Sequence, residues 1–115
     1  MRRGEVWTAA GGSNYAGKPR PVVIVQDDLF GDTNSVTVCA FTSDPTEAPL
    51  FRIQIAPSST NGLAVVSRLM ADKVTTMPRS KLGQRIGQLG PSDVARLNQA
   101  MIVFLGLAGR GQSSN

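Results

Sequence analysis

The segment KPRPVVIV, residues 18–25, places two basic side chains at the start of an apolar run. Lys18 and Arg20 alternate with prolines, and four β-branched residues follow. A guanidinium group can bind two phosphate oxygens at once, because its donors form a planar fork. Proline restricts the backbone on both sides of Arg20, so the segment predicts a cation held rigidly for an anionic ligand.

The sequence contains no histidine and one cysteine, which restricts the available chemistry. Without histidine there is no Ser-His-Asp site, no histidine-assisted zinc site and no pair of histidines acting as acid and base. Cys39 lies in the apolar stretch SVTVCAF, so we predict a buried thiol rather than a nucleophile. A single cysteine also excludes an intramolecular disulfide, as is typical of a reducing compartment.

The net charge of +4 is carried mainly by arginine, with nine arginines and three lysines. This balance favours an anionic partner, and nucleic acid is the leading candidate. A merely basic protein with no such partner is the alternative, and net charge alone separates the two poorly.

The length of 115 residues predicts one domain, which we place at residues 1–108 with a flexible tail at 109–115. No run of 18 or more apolar residues is present, so no membrane span is expected. The N-terminal MRRGEVW turns polar after its arginines and predicts no signal peptide. We therefore expect a cytoplasmic protein.

Short β-type segments separated by turn residues fill most of the chain. The VVIV run predicts a strand buried on both faces or at the centre of a barrel. Phe51, Ile53 and Ile55 alternate with polar residues, as in a half-buried strand. The predicted strands are 4–10, 22–28, 36–44, 50–57, one or two within 63–77 broken near Ala71, and 83–89.

One helix is predicted, beginning near Gly90 or Ser92 with Pro91 in its first turn. Apolar residues at helical spacing give it one face that packs on the sheet: Val94, Leu97, Met101 and Phe104. The expected fold is mainly β with a C-terminal helix, arranged as a strongly bent antiparallel sheet or small barrel.

Four segments resemble, in order, the MazF/PemK toxin family: RRGEVWTA, KPRPVVIVQDD, VTVCAFTSD and the long stretch from Met70 to Met101. The resemblance covers roughly residues 2 to 107. It implies the SH3-like barrel of plasmid-maintenance toxins (CcdB/PemK type) and a homodimer. It also implies a sequence-specific, metal-independent endoribonuclease without cofactor. Such an enzyme cuts single-stranded RNA to 2′,3′-cyclic phosphate and 5′-hydroxyl ends, and a cognate MazE-like antitoxin binds it.

The resemblance assigns catalytic roles to Arg20 and Thr42. Attack of a ribose 2′-oxygen on phosphorus needs a proton acceptor, stabilisation of the phosphorane and a proton for the leaving oxygen. Arg20 suits the electrostatic or acid role, since a guanidinium group stays protonated in proteins and is a poor base. Thr42 can orient a nonbridging oxygen without a change of charge. The general base is left open.

Asp72 is a further catalytic candidate, because ADKVTT is similar to the family segment that carries an acidic residue near the active groove. A carboxylate beside Arg20 would orient the guanidinium, whereas the alternative is an ion pair on the surface. Some members of the family carry an arginine two positions before this residue, where this chain has Met70. Arg68 is the nearest candidate to replace it.

Five residues are predicted to contact substrate: Lys18, Gln26, Ser43, Arg52 and Arg68. Each has a structural alternative, such as a solvated loop for Lys18 or a turn for Ser43.

Two other functions stay open at this point. CcdB-like gyrase poisons share the fold without cleaving RNA, and a basic SH3-like module would bind RNA and leave it intact. The Arg20 and Thr42 pair favours cleavage.

Overall fold

The computed structural model describes residues 1–10 and 18–109. Within them lie six strands and one α-helix, which confirms the predicted mainly β fold with a C-terminal helix. The last six residues of the predicted tail lie outside the described residues. The elements are β1 Glu5–Ala9, β2 Arg20–Ile24, β3 Ser35–Thr42, β4 Arg52–Ile55, β5 Ser67–Pro78, β6 Leu82–Gln88 and α1 Pro91–Phe104.

The strands form one antiparallel sheet in the order β4-β5-β3-β2-β1-β6. The predicted break near Ala71 is a register shift within a single strand. Cys39 pairs with Val74, but Phe41 pairs with Leu69, so β5 carries extra residues between these two pairs. Such an irregularity bends a strand. The first part of β5 thereby pairs with both β3 and β4, while the later part continues along β3.

The sheet buries both of its faces, and β2 runs through the middle of both cores. Val23 belongs to a cluster under the helix that includes Leu97 and Ala100. Val22 and Ile24 belong to a second cluster, on the opposite face, with Val36, Val38 and Ala9. Residues of one strand alternate between faces, so a continuous apolar run is required here. The predicted burial of β2 on both faces is confirmed.

The helix begins with Gly90 as its N-cap and Pro91 in its first turn, as predicted. It ends at Phe104, with Leu105 as its C-cap, and Gly106 follows with a φ of +73°. The amide of Gly106 donates to Val103 O, and the amide of Leu107 donates to Ile102 O. This is the Schellman arrangement, which pairs the last helical carbonyls. Within the described ranges, no helix has the length and apolarity needed to cross a membrane.

The connection between β4 and β5 lies directly on β6. The amide of Gln88 donates to Thr60 O at 2.9 Å. A Cβ at Gly87 would come within 2.4 Å of the Asn61 carbonyl carbon, and one at Gly62 within 2.1 Å of Ile86 O. Only glycine permits such close approach of two backbones. The predicted Asn-Gly turn is therefore part of a longer loop that bridges β4 and the opposite edge strand.

Asn61 holds this loop in place from inside. Its side chain is buried, and its Oδ1 accepts hydrogen bonds from the amides of Ser58 and Leu63, both at 3.0 Å. Its Nδ2 donates to Ala56 O at 2.9 Å. One amide side chain thus satisfies three backbone groups that the loop would otherwise leave without partners.

We predict that Asn61→Ala lowers the free energy of unfolding by about 2–3 kcal/mol, because it leaves buried backbone groups unpaired. Denaturant unfolding measures the change. Asn98→Ala, at an exposed position of α1, is the matched control and should stay within about 0.5 kcal/mol of the unmodified protein. Equal effects of the two substitutions would contradict the anchoring role of Asn61.

Candidate active site

Arg20 and Thr42 come together at one end of the sheet. The pairing of β2 with β3 runs from Val22 opposite Ala40 to Ile24 opposite Val38. Continuing this register by two residues sets Arg20 opposite Thr42. Directly opposed residues project from the same face of a sheet, so the two side chains are neighbours on one surface.

The recorded pairing of β2 with β3 begins at Val22, whereas β1 pairs with β2 as far as Arg20 and β3 pairs with β5 as far as Thr42. Pro21 contributes to this difference, because it has no amide hydrogen to donate to a neighbouring strand. Arg20 therefore pairs with β1, and Thr42 pairs with β5, each on the side that faces away from the other residue. The pairing of β2 with β3 is described from Val22 and Ala40 inwards.

Arg68 extends the row on the far side of Thr42. It pairs with Thr42 across β3 and β5, and with Gln54 across β5 and β4. Its guanidinium donates to Gln54 Oε1 at 3.0 Å and to Glu47 Oε2 at 3.2 Å. The structure pairs Ala9 with Arg20, and it pairs Arg68 with both Thr42 and Gln54. The β2–β3 register, extended by two residues, joins these two sets into one row: Ala9, Arg20, Thr42, Arg68 and Gln54.

Thr42 is held by the chain that follows it. Its Oγ1 accepts the amide of Asp44 at 3.1 Å, so its own hydroxyl hydrogen remains available to donate. The carboxylate of Asp44 accepts from the amide and hydroxyl of Thr46 at 2.9 and 2.7 Å. These bonds keep the pKa of Asp44 below its ordinary value. Ser43, one of the predicted substrate contacts, lies between Thr42 and Asp44 and is exposed.

Asp72 contacts Arg52 in this structure. Nε and an Nη atom of Arg52 donate to the two carboxylate oxygens at 2.8 and 3.0 Å. Both side chains are mostly buried, with exposed fractions of 16% and 17%. Asp72 thus forms an ion pair, as the alternative interpretation expected, but the pair is mostly buried rather than on the surface, and the partner is Arg52 rather than Arg20.

The ion pair governs the titration of both groups. Hydrogen bonds from Arg52 hold the pKa of Asp72 below its ordinary value, although partial burial acts in the opposite direction. The same contact raises the pKa of Arg52. Asp72 is therefore ionised at neutral pH and is a weak proton acceptor.

Gln26 lies away from the row, beyond the other end of β2. Its Nε2 donates to Phe30 O, and its Oε1 accepts the amide of Thr37, both at 2.9 Å. It is six residues from Arg20, or roughly 20 Å along an extended chain. The structure thus gives Gln26 the role of holding the β2–β3 connection. Lys18 is exposed just before β2, near Arg20 in sequence.

Cys39 is fully buried, and its thiol donates to Met70 O at 3.2 Å. Burial, together with the charge of Asp72, raises the pKa of this thiol to about 12. It stays protonated at neutral pH, so the prediction of an inert structural thiol is confirmed. The described residues contain no group of three or more His, Cys, Asp or Glu side chains placed to hold a metal ion.

An open groove of about 460 Å³ lies beside the row, between β4 and α1. Arg68, Gln54 and Glu47 contribute to its lining together with Arg52 and Arg96. Arg96 donates to Gln54 O at 3.0 Å and so covers part of the exposed edge of β4. The sequence analysis did not predict that Glu47 contacts Arg68. The one available signal was that Glu47 lies in a short loop between prolines, PTEAP.

We predict that Asp72→Asn destabilises the protein by about 1–3 kcal/mol near neutral pH, because charged hydrogen bonds to Arg52 are lost. The folded pKa of Asp72 is depressed, so its contribution is complete above the ordinary value of about 4 and disappears as pH falls through the folded pKa. Denaturant unfolding over a pH series should show the two proteins converging in acid. Asp32→Asn, at an exposed position, controls for loss of one negative charge. If the difference in free energy of unfolding between the two proteins stayed the same in acid, the Arg52–Asp72 ion pair would not be its source.

Comparison with known proteins identifies the family of this chain. A profile of the family described as PemK-like, MazF-like toxin of type II toxin–antitoxin system matches residues 2–105. A Mycolicibacterium smegmatis protein named probable endoribonuclease MazF is 56% identical over 109 residues, which cover 95% of this chain and 100% of that protein. Endoribonuclease MazF9 of Mycobacterium tuberculosis is 29% identical, covering 93% of this chain and 98% of its own length.

A solved structure supports the same fold. It is described as an endoribonuclease in complex with its cognate antitoxin from a mycobacterial species, with a TM-score of 0.78 and 24% identity. The match covers 93% of this chain and 96% of that chain. Together with the family profile and the relative at 56% identity, it completes the assignment. The chain belongs to the PemK-like, MazF-like toxin family of type II toxin–antitoxin systems.

Proposed function

We propose that this protein is the toxin endoribonuclease of a type II toxin–antitoxin pair and that it cleaves single-stranded RNA at short sequence motifs in the cytoplasm. The observation that carries the proposal is the shared row of Arg20 and Thr42, at the end of β2 and β3. The 56% identical relative named probable endoribonuclease MazF supports the reaction class.

In the proposed reaction, the ribose 2′-hydroxyl gives up its proton to a base as its oxygen attacks the adjacent phosphorus, and the bond to the 5′-oxygen breaks as that oxygen takes up a proton. The products are a 2′,3′-cyclic phosphate and a 5′-hydroxyl. The phosphorane carries more negative charge on its nonbridging oxygens than the ground state does, so a fixed cation stabilises the transition state selectively. Arg20 supplies this cation, and Thr42 donates its hydroxyl hydrogen to a nonbridging oxygen.

The support of Arg20 is rigid, which is what selective stabilisation requires. β2 is packed on both faces, so the backbone that carries Arg20 cannot shift without disturbing two cores. A preorganised donor needs no rearrangement as charge develops. Because Arg20 and Thr42 supply both charge and hydrogen bonds, we propose that cleavage requires no metal ion or cofactor.

We predict that Arg20→Gln and Thr42→Val each reduce RNA cleavage by at least about a hundredfold, the usual cost of losing one transition-state donor. Cleavage of total RNA in EDTA, followed by labelling of 5′-hydroxyl ends, measures this. Arg2→Gln and Thr75→Val are matched controls at exposed positions elsewhere and should retain activity.

The outcomes separate the competing functions. Full activity of either site variant with an intact fold would overturn the assigned site. Gyrase-dependent DNA breaks without RNA cleavage would instead indicate a CcdB-like poison. Salt-dependent binding that leaves RNA intact would indicate a module without catalysis.

We further propose a homodimer that binds a cognate MazE-like antitoxin. The structure described as an endoribonuclease with its cognate antitoxin supports the second partner. For the dimer, the support is an apolar surface of this chain, in which Leu50 and Val103 line one groove and the ring of Phe104 contacts Phe51 with centroids 5.6 Å apart. Subunit interfaces bury exposed apolar surfaces of this kind.

We predict that Phe104→Asp shifts the dimer towards monomer in light scattering after size exclusion, because a charge would be desolvated in the interface. Leu29→Asp is the control, since Leu29 is also exposed and apolar but lies in the β2–β3 connection. A mass that is unchanged for Phe104→Asp would place the interface elsewhere.

A further inference from the structure

Arg68 differs from the neighbouring arginine Arg52 in how firmly it is held. Arg52 makes two short bonds to a carboxylate that is itself mostly buried. Arg68 donates to Gln54 Oε1 at 3.0 Å and to Asp44 O at 3.4 Å, and its one carboxylate partner is Glu47 at 3.2 Å. The Arg68 side chain is 12% exposed and that of Glu47 78%, so the carboxylate is the partner that is open to solvent.

The position of Arg68 directs its guanidinium to the same surface as Thr42. The two residues are opposite each other in the β3–β5 register. Arg20 holds the corresponding position on the other side of Thr42, so the backbones of the two arginines are roughly 10 Å apart, twice the usual strand spacing. Two extended arginine side chains can span that distance over a group bound at Thr42.

Glu47 offers Arg68 the chemistry that a phosphate would offer. Carboxylate and phosphate oxygens both accept charge-assisted hydrogen bonds from a guanidinium. Only the carboxylate side of this pair is exposed, and a salt bridge to an exposed carboxylate contributes little free energy, so a phosphate of a bound RNA chain can replace Glu47 at small cost. The side chain of Glu47 is 78% exposed, so it can turn into solvent when it is displaced.

We propose that Arg68 is a second phosphate-binding arginine of the cleavage site, and that Glu47 occupies its guanidinium as an internal substitute for phosphate until RNA binds. This inference rests on the proposed function, since it assigns the substrate's phosphate to the same row of residues. It makes Glu47 a competitor of the substrate, and Arg68 the residue for which both compete.

The probe is a short random-sequence single strand with 2′-fluoro ribose, which keeps every phosphate but has no nucleophile. Arg68→Gln should weaken binding about tenfold to a hundredfold, the range for a charged hydrogen bond. It should also lower the slope of log affinity against log salt by about 0.7, the value for one phosphate contact on a single strand. Arg2→Gln, which removes an exposed positive charge elsewhere, should leave the slope unchanged. Arg68→Lys should recover part of the affinity and all of the slope.

Glu47→Gln tests the competitor directly at an exposed position. Binding of the probe should tighten about two- to fivefold, the range for a weak exposed ion pair. The gain should vanish in the Arg68→Gln background, because no guanidinium remains to be released. Asp32→Asn, which also removes one exposed negative charge, should give a smaller gain that persists in that background.

The inference is overturned if Arg68→Gln leaves both affinity and salt slope unchanged, or if the gain from Glu47→Gln equals that from Asp32→Asn. Failure of the proposed function looks different, because the unmodified protein would then leave RNA intact. The probe cannot be cleaved, so its binding reports on Arg68 in either case.

Discussion

The register of β2 against its neighbours is the constraint on which the candidate site depends. Arg20 stands at the first position of a strand whose next residues alternate between two buried clusters. A slip by one residue would exchange these faces and turn Arg20 away from Thr42. The packing that stabilises the sheet therefore also sets the position of the cation. Pro21, which follows Arg20, has no amide hydrogen to donate to β3.

Charge pairing divides the arginines around this site into two kinds. The pair of Arg52 and Asp72 is mostly buried and bidentate, and removing one partner would leave the other charge without compensation. Such a pair fixes the bent part of β5, which in turn carries Arg68 to its place beside Thr42. Arg68 has partners that are easier to exchange. The two ion pairs thus have different roles. The structural pair, Arg52 and Asp72, positions the strand, and the exchangeable pair, Arg68 and Glu47, makes its arginine available to the substrate.

Local patterns predicted much of this arrangement, because strands and helix ends follow from neighbouring residues. The VVIV run predicted burial on two faces, and Pro91 marked the start of the helix. The partner of Asp72 could not be predicted, since it depends on the register of β4 against β5, which sets Arg52 opposite Met70, two residues before Asp72. Glu47 was missed for a related reason. Its contact with Arg68 joins residues far apart in sequence, and only the folded β3–β4 connection brings them together.

Because the sequence contains no histidine, the site depends on arginines, and this explains why the exchangeable pair of Arg68 and Glu47 is useful. Arginines on both sides of Thr42 are permanent charges, because no accessible pH neutralises a guanidinium. Like charges on neighbouring strands repel each other, and physiological salt screens this repulsion strongly only beyond about 8 Å. A carboxylate on a loop offsets this repulsion without burying a second fixed charge. RNA then supplies its own negative charge at the same place, so the cations required for catalysis are tolerated in the folded protein before substrate arrives.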